Sequence, residues 1–292
     1  MPTAFPFHHV AILGPGLLGG SVAHSLRQAA PKCEIRLWAR REQPLELARE
    51  LKLADICSTE LEPVVKGADL VILATPICAF QPLSEGMIPF LNRQAIVTDV
   101  GSVKHYVHRT TGQYLADHNR IFIGSHPMAG AEKQGLEYAN AQLLTGATVA
   151  ICNEQDVADE YLCKLESFWQ QLGGITHRMG AKHHDQSVAR ISHLPHVLAA
   201  LCARGAEDKK IPMDDLQALS ASGFRDTTRV ATGSPSMWAD ILWENDVAVR
   251  DALHFCLKDL QHLIEMLEGQ DKTATEAWLA EAKATRERIY QK

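Results

Sequence analysis

The 292-residue sequence has no CxxC pair, no unbroken apolar run long enough to cross a bilayer, no excess of positive charge and no low-complexity tract. Each absence closes a class of function. A membrane helix needs about 20 consecutive apolar residues, and the longest apolar stretch, 70–80, is interrupted by Pro76. A net charge of −6 offers no general basic field for a nucleic-acid backbone. The seven cysteines (Cys33, Cys57, Cys78, Cys152, Cys163, Cys202 and Cys256) are scattered without pattern, which reads as reduced thiols in a cytoplasmic protein. The N-terminus enters a strand pattern within a few residues and carries no basic leader or cleavage site, so no secretory signal is expected. What is there is ordinary for a globular chain. Hydrophobic residues make up 46% and charged residues 22%, enough to bury a core, and the length suggests about two domains.

Over the first 180 residues, short apolar runs alternate with helical patterns. The runs lie at 9–13, 35–38, 70–74, 95–100, 121–123 and 148–152, with a last one at 175–179; helical stretches include 17–29, 44–51 and 157–172. Alternation of this kind predicts a doubly wound, mostly parallel α/β sheet of the Rossmann type. Beyond His183 strand signals vanish and five helical segments are expected, the clearest over 246–267, where apolar residues recur at helical spacing. The expected division is therefore a dinucleotide-binding domain over 1–180 and an all-helical domain over 181–292.

Gly14-Pro15-Gly16-Leu17-Leu18-Gly19 fits GxGxxG, directly after a predicted strand and at the start of a predicted helix. The first glycine permits the tight turn, the second admits a pyrophosphate close to the backbone, and the third lets helix pack on strand. The helix N-terminus, at Leu17 and Leu18, offers free N–H groups to phosphate. Thr75 and Pro76, after the next central strand, are expected beside it. Where NAD-binding sheets carry an acidic residue at the end of the second strand, this chain reads Trp38-Ala39-Arg40-Arg41. Arg40 and Arg41 could pair with a 2′-phosphate, so NADP is expected over NAD; the alternative is an exposed basic turn.

Two further segments of the first domain belong beyond the carboxyl ends of strands, where open parallel sheets hold ligands: Asp99–Lys104 and 124–130, the latter reading Gly-Ser-His-Pro-Met-Ala-Gly. His126, expected in a loop just after a strand, is a candidate to take a hydroxyl proton while hydride leaves the same carbon. The helical half offers Ser192-His193-Leu194-Pro195-His196 and Gly223-Phe224-Arg225-Asp226-Thr227-Thr228-Arg229. His193 and His196 are one helical turn apart. With His183 and His184 they raise the possibility of a metal site, discounted because no HExxH or Cys/His ligand set accompanies them. Arg225 and Arg229 could clamp a carboxylate, with a surface pair to Asp226 competing for Arg225.

In this order, GPGLLGGS, LATP, DVGSVK, GSHPMAGAEKQG, SHLPH and GFRDTTR resemble the prephenate dehydrogenase family of tyrosine biosynthesis, also called cyclohexadienyl or arogenate dehydrogenases, over nearly the whole chain. The resemblance implies oxidative decarboxylation of prephenate to 4-hydroxyphenylpyruvate with hydride transfer to a nicotinamide cofactor and no metal. It implies that His126 takes the proton of the ring 4-hydroxyl and that Ser102 contacts that hydroxyl and orients the histidine. It places Arg229 on a substrate carboxylate, His196 near the pyruvyl side chain, Glu132 near the site entrance, and Ser125 and His193 among the substrate contacts. It also implies a homodimer formed through the helical domain. The acidic residue common in NAD-using members is missing at the second strand. Arogenate as substrate stays open, as do two rival readings: a β-hydroxy-acid dehydrogenase of similar architecture, and an NADP-binding redox sensor without catalysis.

Overall fold

The computed structural model describes residues 4–130, 133, 135–207 and 210–291. Six strands form a parallel sheet in the order β3-β2-β1-β4-β5-β6. They are β1 (His9–Leu13), β2 (Glu34–Trp38), β3 (Ile56–Ser58), β4 (Leu70–Leu73), β5 (Ile96–Asp99) and β6 (Ile121–Phe122). The period-2 alternation of a strand feeds two cores at once. Val10, Ile12, Leu70 and Ile72 enter one cluster with Leu26, Leu45 and Phe168, whereas Ala11, Leu13, Val71 and Leu73 enter another with Phe80, Met87 and Leu115. Both faces are thus covered, and every residue of β4 is fully buried.

The register decides where ligands can bind. Leu13 pairs with both Trp38 and Leu73, and Leu73 pairs with Asp99. The carboxyl ends of four strands are therefore level, and the segments beginning at Gly14, Ala39, Ala74 and Val100 leave the sheet at one rim. The strand order reverses between β1 and β4, the switch point at which open sheets form a crevice.

A second sheet holds β7 (Gly124–Pro127), β8 (Thr148–Cys152) and β9 (Ile175–Arg178), with β7 antiparallel and β9 parallel to β8. The expectation of one continuous sheet is corrected here: the last two apolar runs belong to this smaller sheet. So is the placement of His126, which lies within β7 opposite Ala150 rather than in a loop. Helices Ala181–Val188, Leu194–Ala206, Met213–Leu219, Ser222–Thr228 and Pro235–Glu244 follow. Residues 1–245 make one compact unit and residues 246–292 a second. The second is a pair of helices, Asp246–Glu268 and Lys272–Tyr290, in which Asp271 caps the latter through the Ala274 N–H and Trp278 Nε1 donates to Asp259 at 3.1 Å.

Candidate active site

The glycine loop is built as its sequence demands. Gly14 has φ of +109°, and a Cβ there would lie 2.8 Å from the Ala74 carbonyl; its N–H donates to Trp38 O at 2.9 Å, tying β1 to β2. A Cβ on Gly19 would meet Gly14 O at 2.1 Å, so helix Leu17–Ala29 can start here only without a side chain. Gly16 differs: nothing of the protein lies within 4 Å of where its Cβ would be. No side chain caps this helix, so Leu17 and Leu18 begin it with N–H groups open to an anion. Thr75 comes against the same turn, its methyl 2.9 Å from the Gly14 Cβ position, and its buried hydroxyl has no protein partner. An open glycine, an uncapped helix and an orphaned hydroxyl fit a bound dinucleotide. Pro76 stands exposed next to Thr75. Ala39 is buried, Arg40 and Arg41 are exposed, and the next carboxylate, Glu42, is turned onto its own helix by a 2.5 Å pair with Arg49.

At the end of β5 lies a fully buried ion pair between Asp99 and Lys104. Lys104 Nζ also donates to Ser125 O at 2.8 Å, and Asp99 accepts from the Ser125 N–H at 3.1 Å and the Gly101 N–H at 2.9 Å. A buried pair is tolerable when its remaining valences are filled in this way. It clamps β7 to the rim of the main sheet. Ser125 was expected to touch substrate. Instead its hydroxyl is wholly buried, 2.8 Å from Thr98 Oγ1 and accepting from Trp169 Nε1 at 3.1 Å, so it braces the core. Ser102 is half-buried in the loop between Asp99 and Lys104. Glu132 lies outside the described residues.

His126, next along β7, is 9% exposed. Its Nδ1 is 2.9 Å from His184 Nε2, and His184 Nδ1 is 2.8 Å from Asp185 Oδ1. Burial first, then the nearby His184, Lys104 and His193, push the His126 pKa well below its ordinary value, so at neutral pH the ring is uncharged and keeps a free lone pair. His184 and Asp185 were missed as partners of the base. The sequence shows His183-His184-Asp185 only as a local run, and the pairing spans 58 positions.

His193 is 1% exposed and accepts from Asn245 Nδ2 at 3.2 Å through Nδ1; burial lowers its pKa to about 4. His196 stacks on Trp238 at 3.5 Å, and the same indole meets His193 edge-on at 6.1 Å. The two histidines therefore do share a face, joined by a tryptophan that sequence reasoning did not single out. Burial lowers the His196 pKa too. Gly233 lies against this stack, its Cβ position 3.4 Å from the His196 ring, and so brings the short turn Arg229–Thr232 beside it. Arg229 is exposed at the start of that turn, whereas Arg225 pairs with Asp226 at 3.6 Å in the open.

Among the described residues, no helix is long and apolar enough to cross a membrane. Residues 22–177 match the family of prephenate dehydrogenase nucleotide-binding domains, and residues 180–281 match the prephenate dehydrogenase dimerization domain. A cyclohexadienyl dehydrogenase from Zymomonas mobilis is 34% identical over 91% of this chain and 90% of its own length. The crystal structure of an Aquifex aeolicus prephenate dehydrogenase, in complex with hydroxyphenyl propionate and NAD+, superposes with a TM-score of 0.90 at 30% identity. That match covers 98% of this chain and all of the other. A Synechocystis arogenate dehydrogenase gives a TM-score of 0.82 at 32% identity, over 96% of this chain and 99% of its own. Motif order, a glycine cradle at the switch point and a buried histidine on the strand clamped to the end of β5 agree with similarity along the whole chain: it belongs to the prephenate dehydrogenase family.

Proposed function

We propose that this chain converts prephenate to 4-hydroxyphenylpyruvate and carbon dioxide, with His126 as the base. The observation that carries the reading is His126 itself, a buried neutral imidazole on β7 held at Nδ1 and adjoining the nucleotide rim. Gly14, Gly16, Gly19, the Leu17 and Leu18 N–H groups, Thr75 and Pro76 would hold a dinucleotide, whose nicotinamide would supply the hydride acceptor. His126 takes the proton of the ring hydroxyl as the C–H bond of the same carbon is broken. The ring carboxylate then leaves as carbon dioxide, and aromatisation makes the step effectively irreversible. Ser102 is assigned to the same hydroxyl, Glu132 to the entrance and Arg229 to a substrate carboxylate. A dianion entering a protein of net charge −6 needs such a cation. His196, uncharged and stacked on Trp238, can donate one N–H to a side-chain ketone, which favours prephenate over arogenate.

The cofactor assigned is NADP. No carboxylate occurs between Trp38 and Arg41 to bind two ribose hydroxyls, and Arg40 and Arg41 are open to a 2′-phosphate. The dimer is assigned to the helical part, 181–292, where Leu257, Leu260, Ile264 and Leu267 repeat at spacings of 3, 4 and 3 and are all about half exposed. All seven cysteines are free, in keeping with a cytoplasmic enzyme. A β-hydroxy-acid dehydrogenase of similar architecture, the rival reading, would rely on a lysine or on backbone contacts rather than on His126 with His193 and His196, and turnover of prephenate separates the two.

The test is a four-way assay of prephenate and arogenate with NAD and NADP, following nicotinamide reduction and carbon dioxide release together. The expected result is equimolar reduction and decarboxylation, fastest with prephenate and NADP. One charge-assisted hydrogen bond to the phosphate, about 1.5–3 kcal/mol before screening, corresponds to at least roughly tenfold in catalytic efficiency. No turnover of either substrate would refute the function, and a preference for NAD would refute the role of the arginines.

A further inference from the structure

We propose that His184 and Asp185 are positioning residues that hold His126 in the single tautomer able to act as a base. The inference rests on the reading of His126 as the proton acceptor and extends it to two residues from a distant helix. Asp185 is 4% exposed and sits in helix Ala181–Val188. Its carboxylate accepts from the Lys104 N–H at 2.8 Å and the His105 N–H at 2.9 Å, which fixes it against the segment after β5. The third group on the carboxylate is His184 Nδ1, at 2.8 Å.

A neutral imidazole carries one N–H and one lone pair. With two backbone donors already on the carboxylate, the third group must also donate, so the His184 proton is on Nδ1. His184 Nε2 is then an acceptor, and the atom 2.9 Å from it, His126 Nδ1, must be the donor. The lone pair of His126 therefore falls on Nε2, away from His184. The opposite tautomer would set two lone pairs against each other in a place where His184 is 1% exposed and water cannot intervene. When Nε2 takes the substrate proton, Nδ1–H stays bonded and the new charge is shared toward the carboxylate. The other titratable neighbours do not compete: Lys104 is bonded to Asp99, and His193 is tied to Asn245, which also donates to the Asp185 carbonyl at 2.9 Å. The two rings meet at 68°, their centroids 5.1 Å apart, so rotation of either breaks the chain of bonds.

The test has a spectroscopic arm and a kinetic one. In the full chain labelled with 15N-histidine, long-range 15N–1H correlation should show His126 protonated at Nδ1, and His184→Leu should mix or invert that tautomer. In steady-state kinetics His184→Leu should lower kcat by about 10²–10⁴-fold, with KM and cofactor affinity within about threefold of the parent. His184→Gln keeps an oxygen to accept from His126 and an amide to donate to Asp185, so it should recover kcat to within about tenfold of the parent. Asp185→Asn should give the His184→Leu phenotype. Protonation of parent His126 at Nε2 would overturn the proposal, as would parent-like kcat in His184→Leu or a glutamine variant no better than the leucine one. If the leucine variant does not fold, the parent spectrum and the glutamine variant still decide. A parent that fails to turn over prephenate would refute the proposed function and not the tautomer, which the spectrum reads without substrate.

Discussion

Gly16 and Gly19, three residues apart at the start of one helix, should respond to the same substitution in opposite ways. A Cβ on Gly19 would be driven to 2.1 Å from Gly14 O and 3.0 Å from Ala74 Cβ, and the first of these is backbone with no rotamer to yield. Overpacking of this kind costs about 1–3 kcal/mol or more, against about 1 kcal/mol gained in helix propensity by replacing glycine with alanine. The clash wins, and Gly19→Ala should lower Tm by several degrees, at about 2–4 °C per kcal/mol for a unit of this size. Gly16 has φ of −83°, open to any residue, and nothing within 4 Å of the added methyl. Gly16→Ala should therefore melt like the parent. The methyl would stand where a pyrophosphate must approach the helix N-terminus, so one or two charge-assisted hydrogen bonds would be lost. At about 1.5–3 kcal/mol each, that raises the cofactor Kd by roughly tenfold to a few hundredfold or more. Differential scanning fluorimetry and isothermal titration with the oxidised cofactor read the two effects separately. A Gly16→Ala protein that binds cofactor like the parent would refute the placement of the phosphates.

Arg229→Ala should mainly raise KM for prephenate, because a carboxylate held equally in ground and transition states contributes uniform binding, and Arg225→Ala should do less, its exposed pair with Asp226 being worth little; the reverse order in steady-state kinetics would exchange the two roles. The acid limb of kcat/KM should lie well below pH 6.5, since the buried His126 resists protonation and stays a base as pH falls; a limb at or above 6.5 would contradict the neutral, desolvated ring. Stability should also fall with pH between 6.5 and about 4, where the unfolded chain protonates His193 and the folded chain does not, a contribution of up to about 3 kcal/mol that His193→Gln should remove from urea-denaturation curves. Leu260→Lys with Ile264→Lys should move the sedimenting species from dimer to monomer, because burying each such side chain contributes about 1.5–3 kcal/mol and two are lost from each protomer; an unchanged dimer would place the interface elsewhere.

The nucleotide cradle was legible because each glycine answers a local geometric demand: the turn, the open approach and the close packing of helix on strand. β4 was legible because it is buried on both faces and wholly apolar, and β1 and β5 because each carries a buried apolar run, Val10–Leu13 and Ile96-Val97, although β5 ends in the buried Thr98 and Asp99. β3 was not, since its three residues are half-buried at the sheet edge and carry no pattern. β7 was hidden for a different reason. Gly-Ser-His-Pro has poor strand propensity, and pairing with β8 rather than local preference makes it a strand. The same distance effect concealed the support of the base. His126 is evident as a residue type in a telling place, but its partners come from a helix that only the tertiary fold brings to it. Ser125, adjacent in sequence, pointed to substrate and instead holds Thr98 and Trp169 together, because alternation along β7 sends neighbouring side chains to opposite faces.

The most direct measurement is the single-turnover rate of His126→Asn with prephenate and saturating NADP, taken alongside its cofactor affinity. The residue is buried and nearly isosteric with its replacement, so the fold and the glycine cradle should be untouched. The account predicts cofactor binding equal to the parent and a chemical step slower by about 10²–10⁴-fold, the range of a lost general base. A hydride-transfer rate within a few-fold of the parent would contradict it, and with it the assignment of His126 as the group that takes the substrate proton.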